Sequence, residues 1–364
     1  MIITFKGEKM LKKIILIAVG SLSLLLLFGC KASVIIDNEL EETGQLVIYS
    51  NRNERFVKDL IDQFTKETGI QVVALHGANA LQLIEERNNV QADIFISNDL
   101  GALGYLHQKG VLQGIQAKGI ENILPAYKAD DNAYFALSAR VRGFIYNKDI
   151  INEAEMPTSI EDLFDAKWAE VPGGYAITRG GNSGMIGHVS ALRYAWGDDK
   201  TREWIKAIRA HASGIYQGHG EIRRAVGAGE HAFGLVNNYY YHQQLLESEN
   251  NNVGFIYLDQ GQDEMGVIAN AAGLGLVKNG KNSISSEIFL EWLLEPRNQA
   301  LFVGESLELL IHGHEDVLYP KEVAEVIVPF SSLKVQDMPM KALGDYFEDT
   351  KTLIELSGLD LDLK

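Results

Sequence analysis

The chain has 364 residues, 46% of them apolar and 23% charged, with 35 Gly against 7 Pro and a single Cys. That length exceeds one ordinary hydrophobic core and suits two lobes of domain size, in the composition of a globular protein. The formal net charge of −16 argues against nucleic acid as a partner, because the bulk field repels phosphate.

Lys9, Lys12 and Lys13 precede an apolar run from Ile14 to Phe28, which closes on Gly29-Cys30. A basic start, a short apolar stretch and a small residue before the cut are the parts of a secretory signal. The run, about 15 residues, is shorter than the roughly 20 a spanning helix needs. With the lone cysteine so placed, the segment resembles a bacterial lipoprotein signal. That resemblance implies a signal over residues 1–29, Cys30 as the lipidated anchor to the membrane, and a polar tether over 30–44. With its cysteine spent on the anchor, the exported part would hold no disulfide, thiolate metal site or cysteine nucleophile.

Order is expected from Leu46-Val47-Ile48-Tyr49-Ser50, a buried strand. Phe56, Leu60, Ile61 and Phe64 follow at helical spacing, and Gly69 stops that helix. Ile70–Leu75 reads as a strand, Ala80–Arg87 as a helix, Ala92–Ile96 as a strand and Leu100–Lys109 as a helix. Strand–helix alternation of this kind predicts an α/β lobe with a largely parallel sheet. Ligands of such sheets bind beyond the carboxyl ends of the strands, here 50–54, 76–79 and 97–99. Tyr134–Tyr146 is a long extended run able to cross into a second lobe, and Val267–Val277 is the return crossing. Between them lie strands at 175–177, 233–236 and 255–258, a glycine-rich loop at 178–187 opening a helix, and helices at 204–210 and 221–228. Helices at 286–294, 299–302 and 342–356 complete the chain. The expected division is 45–138 plus 274–330 for lobe one, 139–273 for lobe two, and 331–364 for a C-terminal helical segment.

The chain has no Gly-x-Ser-x-Gly elbow, phosphate-binding Gly-x4-Gly-Lys-Ser/Thr loop or His-Glu-x-x-His helix, so an enzyme is not expected. His312-Gly313-His314-Glu315 reads as a surface loop, since no ligand cluster accompanies it. Gly181, Asn182 and Ser183 in the glycine-rich loop can present backbone N–H groups to an anion, although plain turn chemistry gives the same composition. Arg140 and Arg142, on the first crossing, can neutralise an anion between lobes. The unusual stretch is Asn237-Asn238-Tyr239-Tyr240-Tyr241-His242, three consecutive phenols at a strand-to-helix junction. Such rings can simply fill a core. Neighbours on a helix start point about 100° apart, so two of the three can share one ion. A phenol proton, with a pKa near 10, yields only to a strongly charged cation, which favours a hard trivalent ion.

Six stretches carry a resemblance to one family. They are Leu46–Arg52, Phe64–Ile70, Ala92–Phe95, Leu137–Arg142 running on to Tyr146-Asn147-Lys148, Asp165–Trp168, and Asn237-Asn238-Tyr239-Tyr240. In order, these resemble the ferric-ion-binding substrate-binding proteins of bacterial ABC iron transporters, over nearly all of residues 45–300. The resemblance implies an α/β, two-lobed, type II periplasmic-binding-protein-like fold with two crossing hinge strands, and Fe3+ carried in the cleft. It implies Tyr239 and Tyr240 as ligands, with Tyr146 as the further tyrosine some members use, and Arg140 or Arg142 as the cleft arginine. Where members carry a first-loop histidine this chain has Asn53 and Glu54, so Glu54 is the candidate to complete the set. The acid after the third strand falls on Asn98 beside Asp99, and the usual Glu-Tyr-Pro is here Glu308-Leu309-Leu310. The expectation is a monomeric, lipid-anchored, extracytoplasmic protein that hands Fe3+, with a synergistic anion such as carbonate, to an ABC permease. The alternative is an anionic organic or phosphorus-containing solute held by the glycine-rich loop and the two arginines.

Overall fold

The first strand, β1 (Gln45–Ser50), pairs in parallel with β2 (Gln71–His76) and with β3 (Ile94–Ser97). Two helices connect them: α1 (Lys58–Thr68), ended by Gly69 in the left-handed region, and α2 (Ala80–Glu85), capped by the Asn79 side chain. After α3 (Leu100–Gln108) comes the longest strand, β4 (Tyr134–Asn147). The computed structural model describes residues 44–311, 317–339 and 342–359. The expected signal, Cys30, the tether up to residue 43 and His312 to Glu315 lie outside the described residues.

The chain continues through β5 (Tyr175–Thr178), α4 (Ser183–His211), β6 (Gly214–Tyr216), α5 (His219–Gly227), β7 (Phe233–Asn237) and α6 (Asn238–Leu245). It then runs through β8 (Val253–Tyr257), β9 (Ala269–Leu276), α7 (Ser283–Leu294), α8 (Pro296–Val303) and β10 (Leu309–Leu310), and ends with α9 (Lys321–Ala324) and α10 (Ala342–Ser357). The sheet order is β2-β1-β3-β9-β4-β7-β5-β6, with β8 and β10 also on β4.

β4 organises this arrangement by changing partners part-way along. Residues Tyr134–Val141 pair with β9, whereas Arg142–Tyr146 pair with β7 and Gly143–Asn147 with β8. Nearly every β4 side chain is buried, as its unbroken Phe-Ala-Leu and Phe-Ile-Tyr runs predict for a strand covered on both faces. Separate apolar clusters form on either side of the change. One is built on Leu46, Ile94, Phe135 and Phe289, the other on Phe144, Tyr175, Trp204 and Phe233.

Two sequence expectations shift. The glycine-rich loop is shorter than expected, because Asn182 caps Gly184 and Met185 and the helix begins at Ser183. The helix expected at 204–210 is the second arm of α4, kinked at Gly197, where φ is 77°. α10 packs on both α3 and α4. There, Thr350 accepts hydrogen bonds from Arg193 (3.0 Å) and Ser190 (2.9 Å).

Candidate cleft and its two walls

A cavity of about 330 Å³ opens where β4 changes partners. The amino ends of four helices reach it, each through its capping residue: Asp99 for α3, Asn182 for α4, Gly218 for α5 and Asn237 for α6. Each end carries N–H groups that lack helical partners and a fraction of a positive charge. The residues between strand and helix thus make a site favourable to negative charge in an acidic protein.

Tyr239 and Tyr240 both line this cavity. β7 ends in an extended Asn237 and α6 begins at once, which points the first-turn phenols inward. Their rings are tilted against each other with centroids 4.3 Å apart. Burial, then Tyr240, pushes the Tyr239 phenol above its usual range, while Arg140 opposes the rise. Tyr241 points away into the core, stacked on Phe255 at 5.5 Å.

Arg140 and Arg142 line the cavity together. Register places Arg142 opposite Asn237, the residue leading into the tyrosine helix. Arg142 is 5% exposed, and among the described residues no carboxylate pairs with it. Its nearest polar neighbour is the His219 ring, to whose Nε2 a guanidinium nitrogen lies at 2.5 Å. Burial first, and then Arg140, bring Arg142 down to about 10 against the opposing pull of Tyr239 and Tyr240, so it keeps its charge at neutral pH. An uncompensated buried guanidinium costs several kcal/mol, roughly, until an anion joins it. Gly184 makes room for it, since a Cβ there would lie 2.6 Å from the guanidinium.

Asn182 and Ser183 line the cavity as expected, and Gly184 does so where Gly181 was expected. Two expected ligands are not brought there. Tyr146 is 2% exposed, packed in the core of the second cluster, and its hydroxyl donates to Glu153 at 2.9 Å. It lies on the part of β4 paired with β8, facing Gly254. Glu54 is exposed on a short 3-10 turn, where Asn53 caps Arg55. Neither is among the cavity's lining residues.

Sequence reasoning missed His188 and His219, which line the cavity from α4 and α5. Burial and then Arg142 hold both imidazoles far below their usual pKa, so both are neutral. Among the described residues, neither ring nitrogen of His188 has a hydrogen-bond partner. No sequence motif marks them, because their meeting depends on how α4 and α5 converge. Glu308 was also missed as a functional group. It is 2% exposed, accepts from Ser138 at 2.6 Å and Arg52 at 3.0 Å, and lies 3.8 Å from Arg140. Burial would raise its pKa, but Arg52 and Arg140 outweigh burial and keep it ionised.

The profile of the bacterial extracellular solute-binding protein family matches residues 59–307. The chain belongs to that family. Among its relatives, this solute-binding protein is 30% identical over 280 residues to iron uptake protein A1 of Synechocystis sp., covering 73% of this chain and 76% of the relative. It is 26% identical over 289 residues to an Fe(3+)-binding periplasmic protein of Serratia marcescens, covering 78% and 82%. Its fold matches that of the apo ferric ion-binding protein A of Pasteurella haemolytica, with a TM-score of 0.77 at 19% identity, over 88% of this chain and all of that one. The type II periplasmic-binding-protein fold is therefore as the sequence predicted, and the family's role is solute binding in transport rather than catalysis.

Proposed function

We propose that this solute-binding protein captures Fe3+ through the phenolate oxygens of Tyr239 and Tyr240 and delivers it to an ABC permease, anchored to the membrane at Cys30. The observation carrying this reading is the pair of neighbouring phenols, rings 4.3 Å apart, in a cavity also lined by Arg140, Arg142 and helix amino ends. Among the described residues no three His, Cys, Asp or Glu side chains converge as a metal site, so a cation here depends on tyrosine oxygen. Hard oxygen donors suit a hard trivalent ion. The names of the Synechocystis and Serratia relatives support the same cargo.

With Tyr146 and Glu54 outside the cavity, two phenolates supply the protein's ligands and an anion such as carbonate completes the shell. Arg142 and the amino-terminal turn of α4 are its natural seat. Residues 45–138 with 274–330, and 139–273, act as lobes that close about the two crossing runs, Tyr134–Tyr146 and Val267–Val277, burying the ion. Iron loading of the purified protein near neutral pH is expected to give a visible tyrosinate-to-iron absorption band. Tyr240→Phe abolishes or strongly weakens that band. A colourless iron-loaded wild type would overturn the assignment.

A second reading rests on Arg142, a buried cation that no carboxylate among the described residues neutralises. An anionic organic or phosphorus-containing solute would satisfy it without metal. Parallel titrations of metal-free protein with Fe3+ and with such anions, followed by tyrosine fluorescence, separate the two.

A further inference from the structure

Asn238 and His242 bracket the three tyrosines, four residues apart, and so lie on one face of α6. Both are fully buried. The Asn238 side-chain oxygen accepts from the backbone N–H of Val141 at 3.0 Å. His242 donates from Nδ1 to the Leu307 carbonyl at 2.7 Å. Leu307 has φ of 59°, a left-handed conformation that a branched side chain adopts only when its surroundings enforce it. That conformation precedes Glu308, whose carboxylate holds Ser138 and Arg52 and lies next to Arg140. Ser138, Arg140 and Val141 are consecutive or nearly so on β4, at the stretch where it changes partners. The contacts therefore form a closed circuit, from α6 through His242, Leu307 and Glu308 to Arg140 and Val141, and back to α6 through Asn238. Tyr239 and Tyr240 sit inside one arc of that circuit and Arg140 on the other.

We infer that Glu308 and His242 are positioning residues that fix the Arg140 wall against the tyrosine wall, so that the cavity's two faces are set by one buried corner. The inference rests on the proposed tyrosine site but concerns groups that touch no ligand. Glu308 acts through charge. Arg140 has two anchors, the Asn98 carbonyl and the Glu308 carboxylate, and only the second is an ion pair. Arg52, the fully buried arginine laid on the Phe302 ring at 4.6 Å, takes the other side of the same carboxylate. Glu308 thus divides its charge between a structural arginine and a cavity arginine, and His242 ties that division to the ligand helix.

The test is a cycle of Arg140→Gln, Glu308→Gln and the double variant in the full chain. Its readout is the rate at which a competing chelator removes iron, with urea stability measured alongside. If Glu308 acts through Arg140, Glu308→Gln speeds iron loss by about tenfold or more in the wild type and adds nothing in the Arg140→Gln background, a coupling that a cycle isolates. A merely structural role lowers stability and accelerates loss equally in both backgrounds, which overturns the inference. Loss of folding in Glu308→Gln is met by His242→Asn, which keeps a side-chain donor and is expected to shift the tyrosinate band while preserving the stoichiometry of iron. An unshifted band overturns the His242 arm. Should the wild type show no tyrosinate band, the iron reading falls by itself. The guanidinium resonance of Arg140 in protein carrying isotope-labelled arginine then decides the inference without ligand. It is expected to broaden or move in Glu308→Gln, and an unchanged resonance overturns it.

Discussion

At the scale of single residues, the site combines groups whose ionisation states work against each other until a ligand arrives. Tyr239 is held protonated by burial and by Tyr240, while Arg142 is held charged without a carboxylate among the described residues. Ferric ion would displace the phenol protons, but Fe3+ with two phenolates still carries net positive charge, so the negative charge that pairs with Arg142 would come from the anion that completes the shell. Each phenol proton displaced is a proton released on binding. The sign follows directly: because the phenol pKa is raised, protons compete more strongly as pH falls, and iron affinity weakens on acidification. The expected slope is about tenfold in affinity per pH unit for each proton displaced. Titrations in buffers of different ionisation heat measure the proton count, and a pH-independent affinity above the carboxylate range would contradict phenolate ligation.

At the scale of elements, α10 forms where the sequence places a helix, but its packing partners are not legible in the chain order. It lies along α4 and reaches α3, strapping together helices that follow β5 and β3, on either side of β4 in the sheet. Its grip is polar as well as apolar. Thr350 is fully buried and takes hydrogen bonds from Ser190 and Arg193, and Arg193 is paired with Asp198 at 2.8 Å. Thr350→Val keeps the shape and removes the acceptor, leaving a buried guanidinium nitrogen and a hydroxyl short of a partner. The cost expected is about 1–3 kcal/mol, read as a lower urea midpoint, with little change in the spectrum of bound iron. A changed spectrum would mean that the strap shapes the cavity directly.

At the scale of the whole molecule, β4 is the shared beam. One half belongs to the β9 side, the other to the β7 and β8 side, and the cavity lies at the join. Closure about that join would bring Asn98 and Asp99 toward the tyrosine helix, since they line the cavity from the β3 and β9 side of β4. Small-angle scattering is expected to show a smaller radius of gyration for the iron-loaded protein than for the metal-free one. Equal radii would place ligand capture in a cleft that does not close.

The local grammar of this fold was legible in the chain. Gly69 ended a helix, alternating strands and helices announced an α/β sheet, and the Phe233–Val236 run delivered the Asn-Asn-Tyr-Tyr stretch to a helix start. Those are effects of neighbours in sequence, governed by backbone conformation and hydrophobic period. The tyrosine pair and both arginines reached the cavity for the same reason, being placed by the strand ends that carry them. Tyr146 and Glu54 do not line the cavity, because a family motif specifies residue type, whereas burial against Gly254 and exposure on a 3-10 turn depend on packing. His219 and Glu308 were invisible beforehand because their partners lie 77 and 170 or more residues away, and His188 because no sequence signature marks it. Sequence alone determined which strands and helices form and that phenols stand at a helix start. Only tertiary structure decided which charges share the cavity, because charge compensation in a buried site is a sum over groups the chain brings together last.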